Sequence, residues 1–503
     1  MKRLFCSMVS ALVLMCSFSG RPAGCEEPPP TSKNSLDVQE VRPFPSSRYH
    51  LSRLSLAQVL QRTGSYSPEI RVVRKKLDIS YALRTQAIET FFPSIMTSFG
   101  TMTYSGEIQS TEGKFYNVQK QMANLNHGAT FLDQPGVSGF QTYVRTTRIE
   151  QTHSQLSETI NQKTAQAARL YFENLASLSR VSVLRKAVRI SRRILMEEKK
   201  LVELGGASIV GVLRSAHEVS RDSRHLVEEE KRDYRIAFRL SQLMGVDANT
   251  IPVPEESFIL PQLYITSPED LDQLLELADR KRPLLRQYAK NRQARKQEVY
   301  QTIYAPFVPT IGVSILNGGV GPDFNAFTGY NQTLFFALWT IGPGGILDPA
   351  AINLAHREES HAKAELDRTR IMVHRQVRDA FEHVRKSLEE EQIAVTDMKL
   401  AKLTFLASQR RVQLGVYHAL ELIISLRDLV EAQLHYINAT QQFEEAQFDL
   451  LAAIGTEPEI VRSPVSVGPP INRNMFRFER NPVENGLKDQ NATPSVPSIP
   501  GFH

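Results

Sequence analysis

The chain has 503 residues, 23% of them charged, and a formal net charge of +6; that is room for more than one ordinary domain and a large buried core. Its basic residues alternate with acids along helix-periodic stretches, with no dense Lys/Arg tract and no aromatic–basic interleaving. This is the pattern of a solvated face and gives no nucleic-acid footprint, so no nucleic-acid partner is expected. Beyond the N-terminus no run of about 18 apolar residues occurs, which excludes membrane-spanning helices but not barrel strands, whose alternation barely registers in hydropathy.

The first twenty residues, "MKRLFCSMVSALVLMCSFSG", place two basic residues before an apolar run and then small residues. Residues 1–25 read as a secretory signal peptide. All three cysteines (Cys6, Cys16 and Cys25) lie within it, so an exported mature chain needs no disulfide. Two cleavage readings stand open. "PAGC" resembles a lipobox, which makes Cys25 the lipidated first residue, although Pro22 departs from the aliphatic residue such boxes prefer. The other reading is ordinary cleavage after the small-x-small run Ala23–Cys25. Residues 26–53, with "EEPPP" and "RPFPSS", read as a linker.

From residue 54 the chain reads as two copies of one unit, at 54–255 and 256–455. Leu56, Gln58, Pro68 and Arg71 match Leu271, Gln273, Pro283 and Arg286 at an offset of 215, and Pro93 then matches Pro309. Leu204 and Gly205 precede Leu414 and Gly415 by 210 positions, and Phe238, Leu240 and Gly245 precede Phe448, Leu450 and Gly455 by the same 210. Each copy begins helix-periodic, over 55–91 and 270–305, and meets a breaker in "FFPSI" or "FVPTI". The period then changes to two. Ile311, Val313 and Ile315 fall on one face against Thr310, Gly312 and Ser314, as a strand between lipid and water requires. Two strands are expected at about 94–131 and two more at about 309–346.

Each pair of strands ends in Pro-Gly, and long helical stretches follow at about 140–203 and 350–413. Sixty-four residues of helix span about 95 Å, and the return segments at 207–245 and 417–454 about 57 Å. Two short helices end to end therefore equal one long helix, which predicts an elongated bundle with strands at one end and glycine turns at the other. Residues 456–503, with eight prolines, read as a tail.

The paired "P-x-[IL]-R" starts, the "F-x-P-[ST]-I" junctions, the Pro-Gly turns and the two motifs "LGGAS" and "LGVYH" occur in a fixed order. Together they resemble the TolC family of outer-membrane efflux proteins over about residues 54–455. The resemblance implies a mainly α protein with a membrane β-barrel portion, in which a long antiparallel helical barrel carries four transmembrane strands per chain. It implies a homotrimer with a twelve-stranded barrel, which agrees with a physical argument: four strands cannot close a barrel, and an open edge is not tolerated in lipid. The implied function is an exit duct through the outer membrane and periplasm for small molecules or polypeptides. Its partners would be outer-membrane lipid, a periplasmic adaptor and an inner-membrane pump of RND, ABC or MFS type. No enzyme activity, cofactor or metal is implied, and the histidines of the second long stretch (His356, His361, His374 and His383) lack i, i+3 or i, i+4 ligand spacing.

By the same resemblance Leu204, Gly205, Ser208, Leu414, Gly415 and His418 form helix tips that meet the adaptor. The acids that ring the duct constriction in the family fall here on Glu421 and on Ile424, the latter a departure from an acid. Gly211 and Arg214 occupy those places in the first copy. The plainer readings are a solvated glutamate and purely structural glycine turns. The rival reading of the whole chain is an exported, elongated coiled-coil protein without a pore, which would lack the strands.

Overall fold

The structure, a computed structural model, describes residues 50–92, 96–128, 131–206, 208–247, 249–265, 270–321, 326, 328–414, 419–456 and 465–466. Ser55 starts α1 (Leu56–Tyr66): its Oγ accepts the Gln58 N–H at 3.4 Å and the Gln58 side chain accepts the Ser55 N–H at 3.2 Å. This reciprocal cap satisfies two donors that a helix start otherwise leaves open. α2 (Pro68–Glu89) follows after a single residue, Ser67. The second copy repeats the arrangement as α5 (Leu271–Lys281) and α6 (Pro283–Tyr304), with Arg282 between them. The sequence pattern was continuous over 55–91 and 270–305, yet each stretch divides in two. Proline at the first helical position lacks the N–H that would continue the ladder and drives the preceding residue out of the α region.

Four long strands follow the two breakers. β2 (Met96–Gln109) and β3 (Phe115–Gly128) form one antiparallel hairpin, and β7 (Thr310–Gly321) and β8 (Thr328–Leu338) another. The hairpins join where Gln121–Leu125 pairs with Asn317–Gly321. Short β4 (Phe131–Asp133) continues the line of β3 along the same edge of β7, reaching Ile311–Val313. The sheet is thus effectively four strands wide, with β2 and β8 at its edges. Gly312 sits directly opposite Phe336, whose ring occupies the space a Cβ at Gly312 would need. An aromatic ring covering a strand glycine supplies the packing that the glycine lacks.

The long helices are α3 (Pro135–Glu203, 69 residues) and α7 (Pro349–Gln413, 65 residues), returned by α4 (Ile209–Met244) and α8 (Ala419–Ile454) of 36 residues each. At 1.5 Å per residue α3 spans about 104 Å, while α4 with the 33 residues of α1 and α2 spans about the same. The fit requires the ends of two helices to meet. Gly245, the left-handed C-cap of α4 (φ 66°), abuts Tyr66 and Pro68, where a Cβ would lie 2.8 Å from the Tyr66 carbonyl. Gly455 (φ 81°) abuts Arg282 and Pro283 in the same way, with a Cβ 2.7 Å from Arg282 Cα. The repeated glycines are therefore needed both for their backbone conformation and for their missing side chain.

Between the copies, β5 (Thr250–Pro254) pairs in parallel with β1 (His50–Leu54). β6 (Gln262–Leu263) pairs with β9 (Val465–Ser466). The sequence reading assigned residues 50–53 to the linker and residues 465–466 to the tail, since strands this short carry no period. The largest apolar cluster gathers here, around Tyr171 and Phe172 of α3, Leu240 and Met244 of α4, Ile259, and Tyr436, Ile437 and Phe448 of α8.

Candidate functional site: hairpin tips and long strands

The first tip is built by its glycines. Gly205 (φ 73°) sends its N–H to Val202 O at 3.0 Å, and Gly206 reaches back to Leu201 O at 2.8 Å. This pair of bonds closes α3 with a left-handed residue and uses carbonyls that a helix end leaves open. Nothing lies within 4 Å of a Cβ placed on Gly205, so the turn demands its φ, not its small volume. Ser208 starts the return: its Oγ accepts the Val210 N–H at 3.3 Å. Leu204 is 82% exposed, and Ile209 and Leu213 stand exposed on the first turns of α4.

At the second tip Leu414 closes α7 with its N–H on Arg410 O at 3.1 Å and is 73% exposed. Gly415 and His418 lie outside the described residues, as does Cys25. Glu421, on the first turn of α8, meets Arg411 of α7 at 3.4 Å. Its other carboxylate oxygen is buried without a partner among the described residues. Ile424 is half exposed one turn later. In the first copy Gly211 makes room for Glu198 of α3, whose carboxylate lies 2.5 Å from where a Cβ would stand. An acid thus occupies this level in both hairpins, from α8 in one and from α3 in the other.

A cross-link farther from the tips was not read from the sequence. Arg427 of α8 donates to Glu218 of α4 at 2.9 Å, joining the return helices of the two copies. Glu218 is buried and also meets Arg221 at 2.5 Å; Arg221 reaches Asp222 at 3.4 Å, and Asp222 accepts from Ser191 of α3 at 2.6 Å. The hydrogen bond to Glu218 holds the Arg427 guanidinium above its ordinary pKa. The available signal was positional: Glu218 and Arg427 are opposite charges 13 and 12 residues past their tip glycines.

At the other end, charge is distributed along the strands. Glu107, Glu112, Lys114 and Lys120 cluster around the β2–β3 turn, while 90–106 carries no charged residue. From Val299 to Leu347 the sole charged residue is Asp323, in the segment between β7 and β8. Each long strand therefore offers an uncharged length near the 9–11 residues that cross a bilayer. Among the described residues no helix is long and apolar enough to cross a membrane, and no cluster of His, Cys, Asp or Glu is placed to hold a metal.

Residues 274–456 match the model of the outer membrane efflux protein family. The match falls on the second of the two copies, over a little more than a third of the chain. The fold resembles solved structures of membrane proteins. A membrane protein from Pseudomonas aeruginosa superposes with a TM-score of 0.67 at 14% identity, over 83% of this chain and 94% of that one. CusC gives 0.67 at 13% identity, over 83% and 96%, and the Campylobacter jejuni outer-membrane channel CmeC gives 0.64 at 12%, over 80% and 85%. No curated protein matches the chain significantly.

Proposed function

We infer that the chain is one protomer of an outer-membrane exit duct that reaches into the periplasm and carries cargo outward. The observation that carries this reading is the open four-stranded sheet, with long uncharged stretches and with edges at β2 and β8 that have no partner among the described residues, continuous with two helical hairpins. Open edges in lipid leave backbone groups unsatisfied, so β2 and β8 require strands of neighbouring copies. Three chains closing a twelve-stranded barrel satisfy them. Exposed apolar residues along α7, among them Ile371, Ile393, Leu400 and Leu403, supply a surface for the adjoining copy. The pore-free coiled coil has no use for such strands.

Within this reading the two repeats are 54–255 and 256–455, and the family's mode of action brings a periplasmic adaptor and an inner-membrane pump. The exposed apolar tips around Leu204 and Leu414 are the surfaces offered to the adaptor, and the pump is of RND, ABC or MFS type. Glu421 lines the constriction with Ile424 beside it, and Arg411 offsets part of its charge. The Arg427–Glu218 pair holds the hairpins together at that end.

Heat-modifiable, β-containing trimers in outer-membrane fractions and discrete conductance in planar bilayers are expected; a monomeric, wholly helical periplasmic protein would refute the duct. In the same bilayers Glu421→Ala should lower cation selectivity, by about two-fold for one partly screened ring. Unchanged selectivity would make Glu421 an ordinary surface residue.

A further inference from the structure

The two copies differ most where the sheet returns to helix. In the first, β4 ends at Asp133 and α3 begins at Pro135. In the second, β8 ends at Leu338 and α7 begins at Pro349, and the intervening "WTIGPGGILD" forms a closed loop. Ile346 donates to Thr340 O at 2.8 Å, Gly342 to Ile346 O at 2.9 Å, and Gly344 to Asp348 Oδ2 at 2.8 Å. Asp348 also accepts the Ala351 N–H at 2.9 Å and so fastens the loop to α7. A Cβ on Gly345 would lie 2.0 Å from Thr340 O, which ties that closure to glycine.

This rigid loop points its apolar residues outward. Ile341 is 76% exposed and Leu347 75%. Leu347 has φ 67° and is the single non-glycine residue with positive φ among the described residues. A leucine held in a sterically disfavoured conformation and left in the open gains nothing from internal packing, which directs attention outside the chain. Trp339, at the loop's start, is half exposed, and its indole N–H is already committed to Phe307 O at 3.3 Å. Phe307 and Phe92, at the ends of the segments leading into the strands, are 59% and 70% exposed.

We propose that the 339–347 loop, with Trp339, Ile341 and Leu347, is a lipid anchor seated at the periplasmic-side boundary of the membrane strands. This rests on the duct reading. Three observations select lipid as the occupant. The loop is continuous with the strand β8, it contains no charged side chain before Asp348, and its aromatic residue has its polar atom satisfied within the protein. Tryptophan at a bilayer boundary with aliphatic side chains dipping beneath it is the arrangement that interfacial partitioning favours.

Trp339 is the chain's one tryptophan, so its emission reports this position alone. The full-length chain is reconstituted into dioleoylphosphatidylcholine vesicles, then into vesicles of the 6,7-dibromo or 11,12-dibromo analogue. The shallow bromines are expected to reduce emission about two-fold, and more than the deep ones, as an interfacial indole requires. The Ile341→Asp/Leu347→Asp variant should reduce that quenching while its helical circular dichroism is retained. Emission indifferent to both brominated lipids in wild-type protein would overturn the anchor, and a change of Trp339 emission upon trimer dissociation would then assign the loop to a neighbouring copy. Conductance of the same vesicles is read separately. Channels without quenching overturn the anchor alone, and quenching without channels overturns the duct.

Discussion

The break between α1 and α2 and the break between α5 and α6 meet one geometric demand with different chemistry. Both place proline at the first position of the second helix, and both receive a left-handed glycine from a return helix, Gly245 in one and Gly455 in the other. The residue before the proline differs. Ser67 is small and fully buried, with a hydroxyl that has no partner among the described residues. Arg282 is equally enclosed, yet it donates to Glu158 of α3 at 2.9 Å and to the carbonyl of Ala452. Glu158 also accepts from Gln162 of α3 at 2.8 Å, while its other oxygen is buried without a partner among the described residues. The repeat preserved the backbone solution and let the side chains diverge: one junction is closed by volume, the other by an ion pair.

That comparison breaks most sharply at the ion pair. The side chains of Arg282 and Glu158 are 6% and 5% exposed. Burial pushes Glu158 above the usual carboxylate range and lowers Arg282, so desolvation outweighs their attraction. Arg282→Ala leaves a buried carboxylate unpaired and should destabilise by about 3–5 kcal/mol, whereas Glu158→Leu with Arg282→Leu should cost much less than the sum of the single changes. Ser67→Ala should shift stability by under about 1 kcal/mol, because no hydrogen bond is lost. Denaturant unfolding of the detergent-solubilised protein, followed by circular dichroism, measures each of these variants. Equal losses at Ser67 and Arg282 would erase the proposed difference.

The shared part of the design is tested by the glycines. Gly245→Ala and Gly455→Ala each impose a positive φ on alanine and a Cβ inside 2.8 Å of backbone. Strain and overpacking together should cost about 2–4 kcal/mol at either site. Similar losses at both would mark the junctions as equivalent in backbone; a loss at one alone would mean that its neighbour yields.

Much of this was legible before any coordinates. The matched glycines, prolines and "F-x-P-[ST]-I" breakers placed every long helix and all four long strands, because helix caps, breakers and period changes are local physics. The sequence did not place the breaks at Ser67 and Arg282 within their helical patterns, nor the short strands β1, β6 and β9, whose pairing depends on distant partners. The site divides similarly. The tip at Gly205 follows from its own backbone, but Arg427–Glu218 joins residues 209 positions apart in sequence, and no periodicity announces such a pair.

That cross-link yields a smaller and more functional effect. Arg427 is 47% exposed in its side chain, so Arg427→Ala should change stability by about 1 kcal/mol or less. If the pair biases the hairpins toward each other, its loss should raise open probability in planar bilayers by about ten-fold, the scale of a coupling of 1–3 kcal/mol. Glu218→Gln should act in the same direction. Unchanged conductance in both variants would reduce the pair to a static contact.

The smallest effect concerns acids between the tips and the membrane strands. Burial, then the neighbouring Glu229, pushes Asp233 up to about 7, although Arg180 and Arg185 oppose the shift. Burial, then repulsion from the Glu173 and Asp449 carboxylates, pushes Glu445 up to about 7 against the opposing hydrogen bond from Gln441. In the unfolded chain both would titrate near the ordinary carboxylate values, so between about pH 4 and pH 7 the folded state holds protons that the unfolded state has released. Stability from these groups is therefore greatest at the acidic end and declines as the pH rises toward 7, then levels off. Both are partly accessible, so each contributes only a fraction of the ~1.4 kcal/mol per pH unit that a full proton difference would give. Asp233→Asn and Glu445→Gln should flatten the decline of apparent Tm between pH 5 and 8 without lowering it at pH 8. A slope that persists in the double variant would place the titration elsewhere, with Glu444, which is fully buried and also raised, as the next group to replace.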